Sequence, residues 1–326
     1  MDNLDGIIAS LKDDLKLKSF YVYPESINHL DNSLVFMVKD EKSDYLVATG
    51  EAKNHFFGKA FNTGNKCYLV AELNHDNACA LRKLFPFTAP SAVLSAERTF
   101  GVGDRLGIAC PGHIRVFKEY DARPVFAQQS IRELTLTNRS FADVLDAVTF
   151  SVFREGFKDG FGADGDHLKK PEEIEYALEN GYTMITLDLS EHIQNSAPGD
   201  LEIPAYLRNR YLHRIFTVED EEISFSETDL KECFHVYGKA LEFAKQVYHK
   251  YILPNERKVN FEVSIDETER PTTPAQHYFV ANELVSAGVK LDTLAPRFCG
   301  EFQKGIDYIG DLEQFEKELK VHAAIA

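Results

Sequence analysis

No stretch of this 326-residue chain approaches the roughly 18 consecutive apolar residues that a membrane-spanning helix needs. The opening MDNLDGIIASLKDDLKLK brings acids early and has no apolar run before a small-residue cleavage site. No secretory leader is therefore read, and the cytoplasm is the expected location. Positive charge is in deficit: 36 lysines and arginines stand against 52 aspartates and glutamates, a formal charge of −16. That balance argues against nucleic acid and anionic membrane surfaces as partners. It leaves room for an anionic small molecule in a local basic pocket. The five cysteines, Cys67, Cys79, Cys110, Cys233 and Cys299, include no CxxC pair. They read as reduced thiols, not as a disulfide framework. There is no GxxxxGK[ST], no GxSxG and no zinc-finger spacing. FGVGDRLG (100–107) spaces its glycines wrongly for a dinucleotide loop.

What is present is strand and helix punctuation. Residues 1–90 read as a small α/β region, with strand candidates SFYVYP, SLVFMV, DYLVATG and KCYLVAEL and a helical NHDNACALRKLF. PFTAPSAV (86–93) reads as a link. From 91 to 326 short apolar strands alternate with longer helical stretches. KPEEIEYALENG has proline near its start, acids in its first turn and glycine beyond its end. LKECFHVYGKALEFAKQVYHKYIL (230–253) carries an apolar residue every three or four positions. Residues 191–229 read as a loop insertion or flap. Strand–helix alternation with short links predicts βα units and a mostly parallel sheet, the α/β class of the (β/α) TIM barrel.

The polar residues fall where such a barrel does its chemistry, at the carboxyl ends of the strands. Gln128–Gln129, Asp166–His167, Asp188 and Asp266–Glu267 all follow apolar strands. In GADGDH (162–167), aspartate and histidine suit a divalent cation such as Zn, Mn, Co, Ni or Fe. Neighbours on a strand point to opposite faces, so Asp166 and His167 share a pocket only where the chain turns. In SIDETE (264–269), crowded carboxylates can keep one proton or recruit a cation. Each strand end is also open to the plainer reading of an exit into solvent. Arg105, inside FGVGDRLG, and Lys169–Lys170 are candidates to hold a carboxylate, or are ordinary surface charges.

Taken in order, several segments resemble the tagaturonate epimerase family. They are FGVGDRLGIACPGHIRV, PVFAQQSIRE, DVLDAVTFSVFREGFKDGFGADGDHLKKPEE, TMITLDLSEHI, FEVSIDETERPTTPAQHYFV and LAPRFCGEFQKGIDYIGDLEQFEKELKVHAAIA. The resemblance runs from about residue 95 to the end and extends loosely over the N-terminal region. It implies a metal-dependent enzyme that interconverts D-tagaturonate and D-fructuronate, with a hexuronate ketose as substrate. It also implies His167 as a metal ligand. Asp166 is then the expected base and Glu267 its acid partner, with Asp266 able to replace Glu267. Arg105, Gln129, Asp188 and Asp266 are the expected substrate contacts.

Members of that family are longer, with a further histidine-bearing strand segment that this sequence lacks. Counting βα units leaves the barrel about two strands short of closure. The chain is thus expected to be a fragment, a split or truncated gene product, or one piece of a protein whose barrel a second polypeptide completes. An inactive paralogue or scaffold, and an epimerase or isomerase of another ketose, are the competing expectations.

Overall fold

The computed structural model describes residues 4–15, 20–63, 66–303 and 305–326. Residues 1–3 and 16–19 of the stretch read for a leader lie outside them. Among the described residues no helix is long and apolar enough to cross a membrane. The chain divides into two compact units, Met1–Asp164 with Asn180–Thr183, and Gly165–Glu179 with Met184–Ala326.

The first unit opens on an antiparallel sheet. Its strands are β1 (Tyr21–Val22), β2 (Asn28–Leu30), β3 (Ser33–Lys39), β4 (Asp44–Thr49), β5 (Lys59–Thr63) and β6 (Lys66–Glu72), in the order β1-β3-β4-β6-β5 with β2 on β3. β3 is apolar throughout because both faces are covered. Val35 and Met37 join Ala78 and Leu81 of helix α2 (His75–Leu84). Leu34, Phe36 and Val38 face Ile7 and Leu11 of α1 (Leu4–Leu15). A two-residue period with burial on both sides reads in sequence as an unbroken apolar run.

The unit continues through β7 (Thr99–Gly101), α3 (Cys110–Phe117), β8 (Arg123–Ser130), α4 (Ile131–Thr137) and α5 (Phe141–Glu155), with β7 parallel to β8. β9 (Gly162–Leu168) follows β8 in the sheet and passes from the first unit into the second. There α6 (Pro171–Glu179) leads to β10 (Met184–Asp188). The region 191–229, read as including a loop insertion or flap, has no helix or strand at 191–204 and then holds helix α7 (Ala205–Tyr211) and a hairpin of β11 (Ile215–Val218) and β12 (Glu221–Ser224). Its alternation is short and acid-rich, so the periodic signal is weak. α8 (Glu227–Val247), β13 (Asn260–Ser264), α9 (Pro274–Ser286), β14 (Thr293–Ala295) and α10 (Leu312–Ile325) complete the chain. β10, β13 and β14 pair in parallel, with Asp188, Ser264 and Ala295 in register at the last rung. The sheet order β7-β8-β9-β10-β13-β14 is that of a β/α barrel. It is incompletely closed, since β7 and β14 do not pair with each other among the described residues.

Local chemistry explains the helix starts. Ser140, Ser226 and Thr273 each cap a helix with a side-chain oxygen and donate a backbone N–H in return to the side chains of Asp143, Asp229 and Gln276.

Between α9 and α10, His277 Nδ1 lies 2.9 Å from His322 Nδ1, and neither Nε2 finds a hydrogen-bond partner among the described residues. Burial, then the neighbouring His322, pushes the His277 imidazole down to about 4. In the unfolded chain it titrates near its ordinary 6.5. The folded state therefore binds fewer protons across that interval, and stability is lost as pH falls from 6.5 toward 4. Urea midpoints at pH 7.5, 5.5 and 4.5 are expected to fall in that order. His277→Phe is expected to shrink the decline, and an unchanged pH dependence would show that this pair does not set it.

Candidate functional site

The second unit gathers one cluster at the carboxyl ends of its strands. β9 delivers Asp166 and His167, β10 ends on Asp188, and the chain leaving β13 carries Asp266 and Glu267. The alternation of a regular strand would send Asp166 and His167 to opposite faces. His167 escapes this by adopting a left-handed backbone, φ 54°, where a histidine rarely sits without surrounding constraint. Its Nδ1 thereby meets Asp166 Oδ1 at 2.7 Å. The turn is made by the histidine itself. Gly165 serves packing instead: a Cβ there would stand 2.9 Å from Leu168 and 3.1 Å from Ala177 of α6.

Charge is concentrated here. The hydrogen bond that His167 donates to Asp166 pushes the imidazole up to about 9 against the opposing pull of burial, and the charges of Asp166, Asp188 and Asp266 add to it. Asp188 is almost wholly buried, its side chain 3% exposed, and its Oδ2 pairs with Lys169 Nζ at 3.2 Å. Asp188 Oδ1 accepts the Ser190 amide at 2.8 Å, and Lys169 also donates to Ser190 Oγ at 2.8 Å. Lys169 lies 3.8 Å from Glu267 Oε2, so one ammonium spans a buried and an exposed carboxylate. Burial pulls that ammonium down, but Asp188 and then Glu267 carry it upward overall. Asp266 Oδ1 accepts from Ser264 Oγ at 2.5 Å.

Glu262, in the middle of β13, was not singled out in the sequence. Burial raises its carboxyl, which accepts from Thr293 Oγ1 at 2.5 Å and feels the charges of Asp166, His167 and Asp266. Its signal was a lone acid inside the apolar run VNFEVS. Lys169 was read only as a candidate carboxylate holder; its bridge between two acids depends on folding.

Two expected contacts belong to the first unit. Arg105 is tied to Glu133, so the anion near this guanidinium is one of the chain's own carboxylates. Gln129 is 1% exposed, and neither of its amide atoms finds a hydrogen-bond partner among the described residues. A Cβ on Gly103 would stand 2.9 Å from the Gln128 carbonyl oxygen and 3.3 Å from Gln129 Nε2, so only glycine fits beside that amide. An unsatisfied buried amide is costly and calls for a water or a ligand. Asp164 is fully buried and accepts from Gln128 Nε2 at 3.3 Å, a structural place.

The donor chemistry suits a divalent cation. Asp166 holds His167 Nδ1 in the way an outer carboxylate orients a metal-binding imidazole, leaving Nε2 to face outward from that pair. The set is partial: among the described residues no three His, Cys, Asp or Glu side chains converge as a metal-holding group.

Residues 23–326 match the tagaturonate epimerase family. The chain is 41% identical over 323 residues to the tagaturonate/fructuronate epimerase of Thermotoga maritima, covering 95% of itself and 66% of that protein. Crystal structures of the fructuronate-tagaturonate epimerase from Cohnella laeviribosi superpose closely. The native form has a TM-score of 0.91 at 44% identity, covering 98% of this chain and 67% of that one. A glycerol complex has a TM-score of 0.91 at 43% identity, covering 98% and 68%. The chain thus spans about two thirds of the length of these relatives.

Proposed function

The chain belongs to the tagaturonate epimerase family, and from that footing we propose that it interconverts D-tagaturonate and D-fructuronate. The observation that carries the proposal is the cluster of Asp166, His167, Lys169, Asp188, Asp266 and Glu267 at one strand edge. It offers proton acceptors, proton donors and a histidine suited to a cation.

The two ketoses differ at C4, two bonds from the C2 ketone. The hydrogen on C4 is not acidified by that ketone, so direct proton abstraction there is chemically poor. Retro-aldol cleavage of the C3–C4 bond, rotation of the released aldehyde and reclosure inverts the centre without breaking the C4–H bond. Asp166 takes the C4 hydroxyl proton through Oδ2, the oxygen not engaged by His167. Glu267, half exposed at the mouth of the cluster, gives a proton to the C4 alkoxide that reclosure forms on the opposite face. Lys169 offsets the negative charge of the buried Asp188, which would otherwise repel the anionic substrate. A divalent cation held through His167 would supply polarisation of the C2 carbonyl and C3 oxygen. Asp188 and Asp266 are the proposed substrate contacts within the second unit.

The test is turnover in deuterated water with Mn, Co, Ni or Zn, followed by NMR. The expected product is the epimer with protium retained at C4. Deuterium at C4 would overturn the retro-aldol route, and no conversion with any of the metals would overturn the activity itself.

A further inference from the structure

The first unit holds a second chemical cluster that the epimerase reading does not use. His75 and Cys79 lie four residues apart on α2 and so share one helix face. His75 Nε2 is 3.5 Å from Cys79 Sγ, and His75 Nδ1 is 2.8 Å from Asp146 Oδ2 on α5. Arg82, one turn beyond Cys79, donates to Cys79 Sγ at 3.2 Å and to Asp146 Oδ1 at 2.9 Å. Asp146 and Arg82 are mostly buried, with side chains 12% and 14% exposed, whereas His75 is open to solvent. A cavity of about 630 Å³ is lined by His75, Asp146, Ile108, Pro111 and Phe150, among others.

This arrangement has the three links of an activated nucleophile: sulfur to base, base to orienting carboxylate, and a cation beside the sulfur. With Nδ1–H donated to Asp146, Nε2 is the lone-pair nitrogen and faces the thiol. We propose that Cys79 is a nucleophilic thiol, with His75 as its base and Asp146 as the positioning residue of that base, and that small hydroperoxides oxidise it. His75 takes the thiol proton. The sulfur then attacks the distal oxygen of ROOH, an S–O bond forms and the O–O bond breaks. The sulfur loses two electrons to the peroxide. The proton on His75 goes to the departing RO⁻, giving Cys79 sulfenic acid and ROH.

The other thiols provide an internal contrast. Burial pushes Cys110 up to about 12 and raises Cys233 and Cys299 as well. Cys67 is partly exposed, and the group against its sulfur is Lys53 Nζ, which donates at 3.2 Å.

The experiment treats the full chain with hydrogen peroxide, traps sulfenic acid with a dimedone reagent and locates it by mass spectrometry over a pH series. Cys79 is expected to be labelled at least about ten-fold faster than Cys67 near neutral pH. His75→Gln is expected to slow Cys79 by about ten-fold or more while leaving Cys67 unchanged, and Asp146→Asn to change the shape of the Cys79 pH profile. Equal rates at Cys79 and Cys67 in the unsubstituted chain would overturn the proposal, and that comparison needs no variant to fold. A Cys79 rate indifferent to His75→Gln would overturn it too. An unaltered pH profile in Asp146→Asn would remove Asp146 from it.

Discussion

Replacing Asp166 with asparagine is expected to lower kcat for tagaturonate–fructuronate interconversion by about 10²–10⁴-fold, the usual worth of a positioned general base. KM is expected to change little. The amide keeps the shape of the carboxylate, and its oxygen can still accept from His167 Nδ1, so the 2.7 Å contact survives while the proton acceptor is lost. The rival role for Asp166 is only to orient His167 toward a cation. Loss of such an orienting partner costs about 10–100-fold and is felt in metal affinity. Steady-state kinetics at saturating metal therefore separates the two: a deficit that added metal restores would sink the general-base assignment. A second readout is independent of turnover. In the metal-free chain the His167 imidazole is held up at about 9, foremost by its bond to Asp166. Asp166→Asn is expected to bring it down toward 6.5, as followed by NMR titration of the ring protons.

Asp104→Ala is expected to destabilise the fold by about 3 kcal/mol in urea unfolding, more than an ordinary helix cap. The Asp104 side chain, in a residue only 7% exposed, receives four backbone amides. Gly107 and Ile108 donate to Oδ1 at 2.9 and 3.2 Å, and Ala109 and Cys110 to Oδ2 at 2.7 and 2.8 Å. A usual cap satisfies one such amide and is worth about 0.5–2 kcal/mol. Four fully buried orphans at about 1–3 kcal/mol each would approach the whole stability of a domain. The larger sum does not apply, because Ile108 and Ala109 are exposed and water reaches their amides once the carboxylate is gone. Asp104→Asn keeps one acceptor oxygen and is expected to cost about half as much. A loss under about 1 kcal/mol for the alanine variant would mean that the amides are already solvated in the native chain. The same geometry revises the reading of FGVGDRLG. Its own aspartate is the anion there, held by the Gly107 amide and by the three amides that follow the loop.

Much of the architecture was legible because its signals are local. The capping pairs of Ser140 with Asp143, Ser226 with Asp229 and Thr273 with Gln276 span three residues each, and α8 begins at Glu227, three residues before the helix read from 230. The apolar runs of β8, β10 and β13 give way to polar residues at their carboxyl ends, Gln128–Ser130, Asp188 and Ser264. Asp166, His167, Asp188, Asp266 and Glu267 could be nominated on that ground alone. Within 191–229 the sequence named no helix or strand, because four-residue strands and a seven-residue helix are too short for a period to show.

Chain order, strand ends and the chemistry of each side chain were thus settled by the sequence itself, since periodicity and capping act over one or two turns. Which groups meet was decided by tertiary structure. His167 turns onto Asp166 through a backbone angle that no residue type announces. Lys169 finds Asp188 and Glu267 only when three strand ends converge. Cys79 gains His75 from its own helix, but the carboxylate behind that histidine arrives from 71 residues away. Contacts at such separations form only once burial of the intervening core has outweighed the entropy of closing the chain, and that balance belongs to the whole sequence, not to the motif at either end.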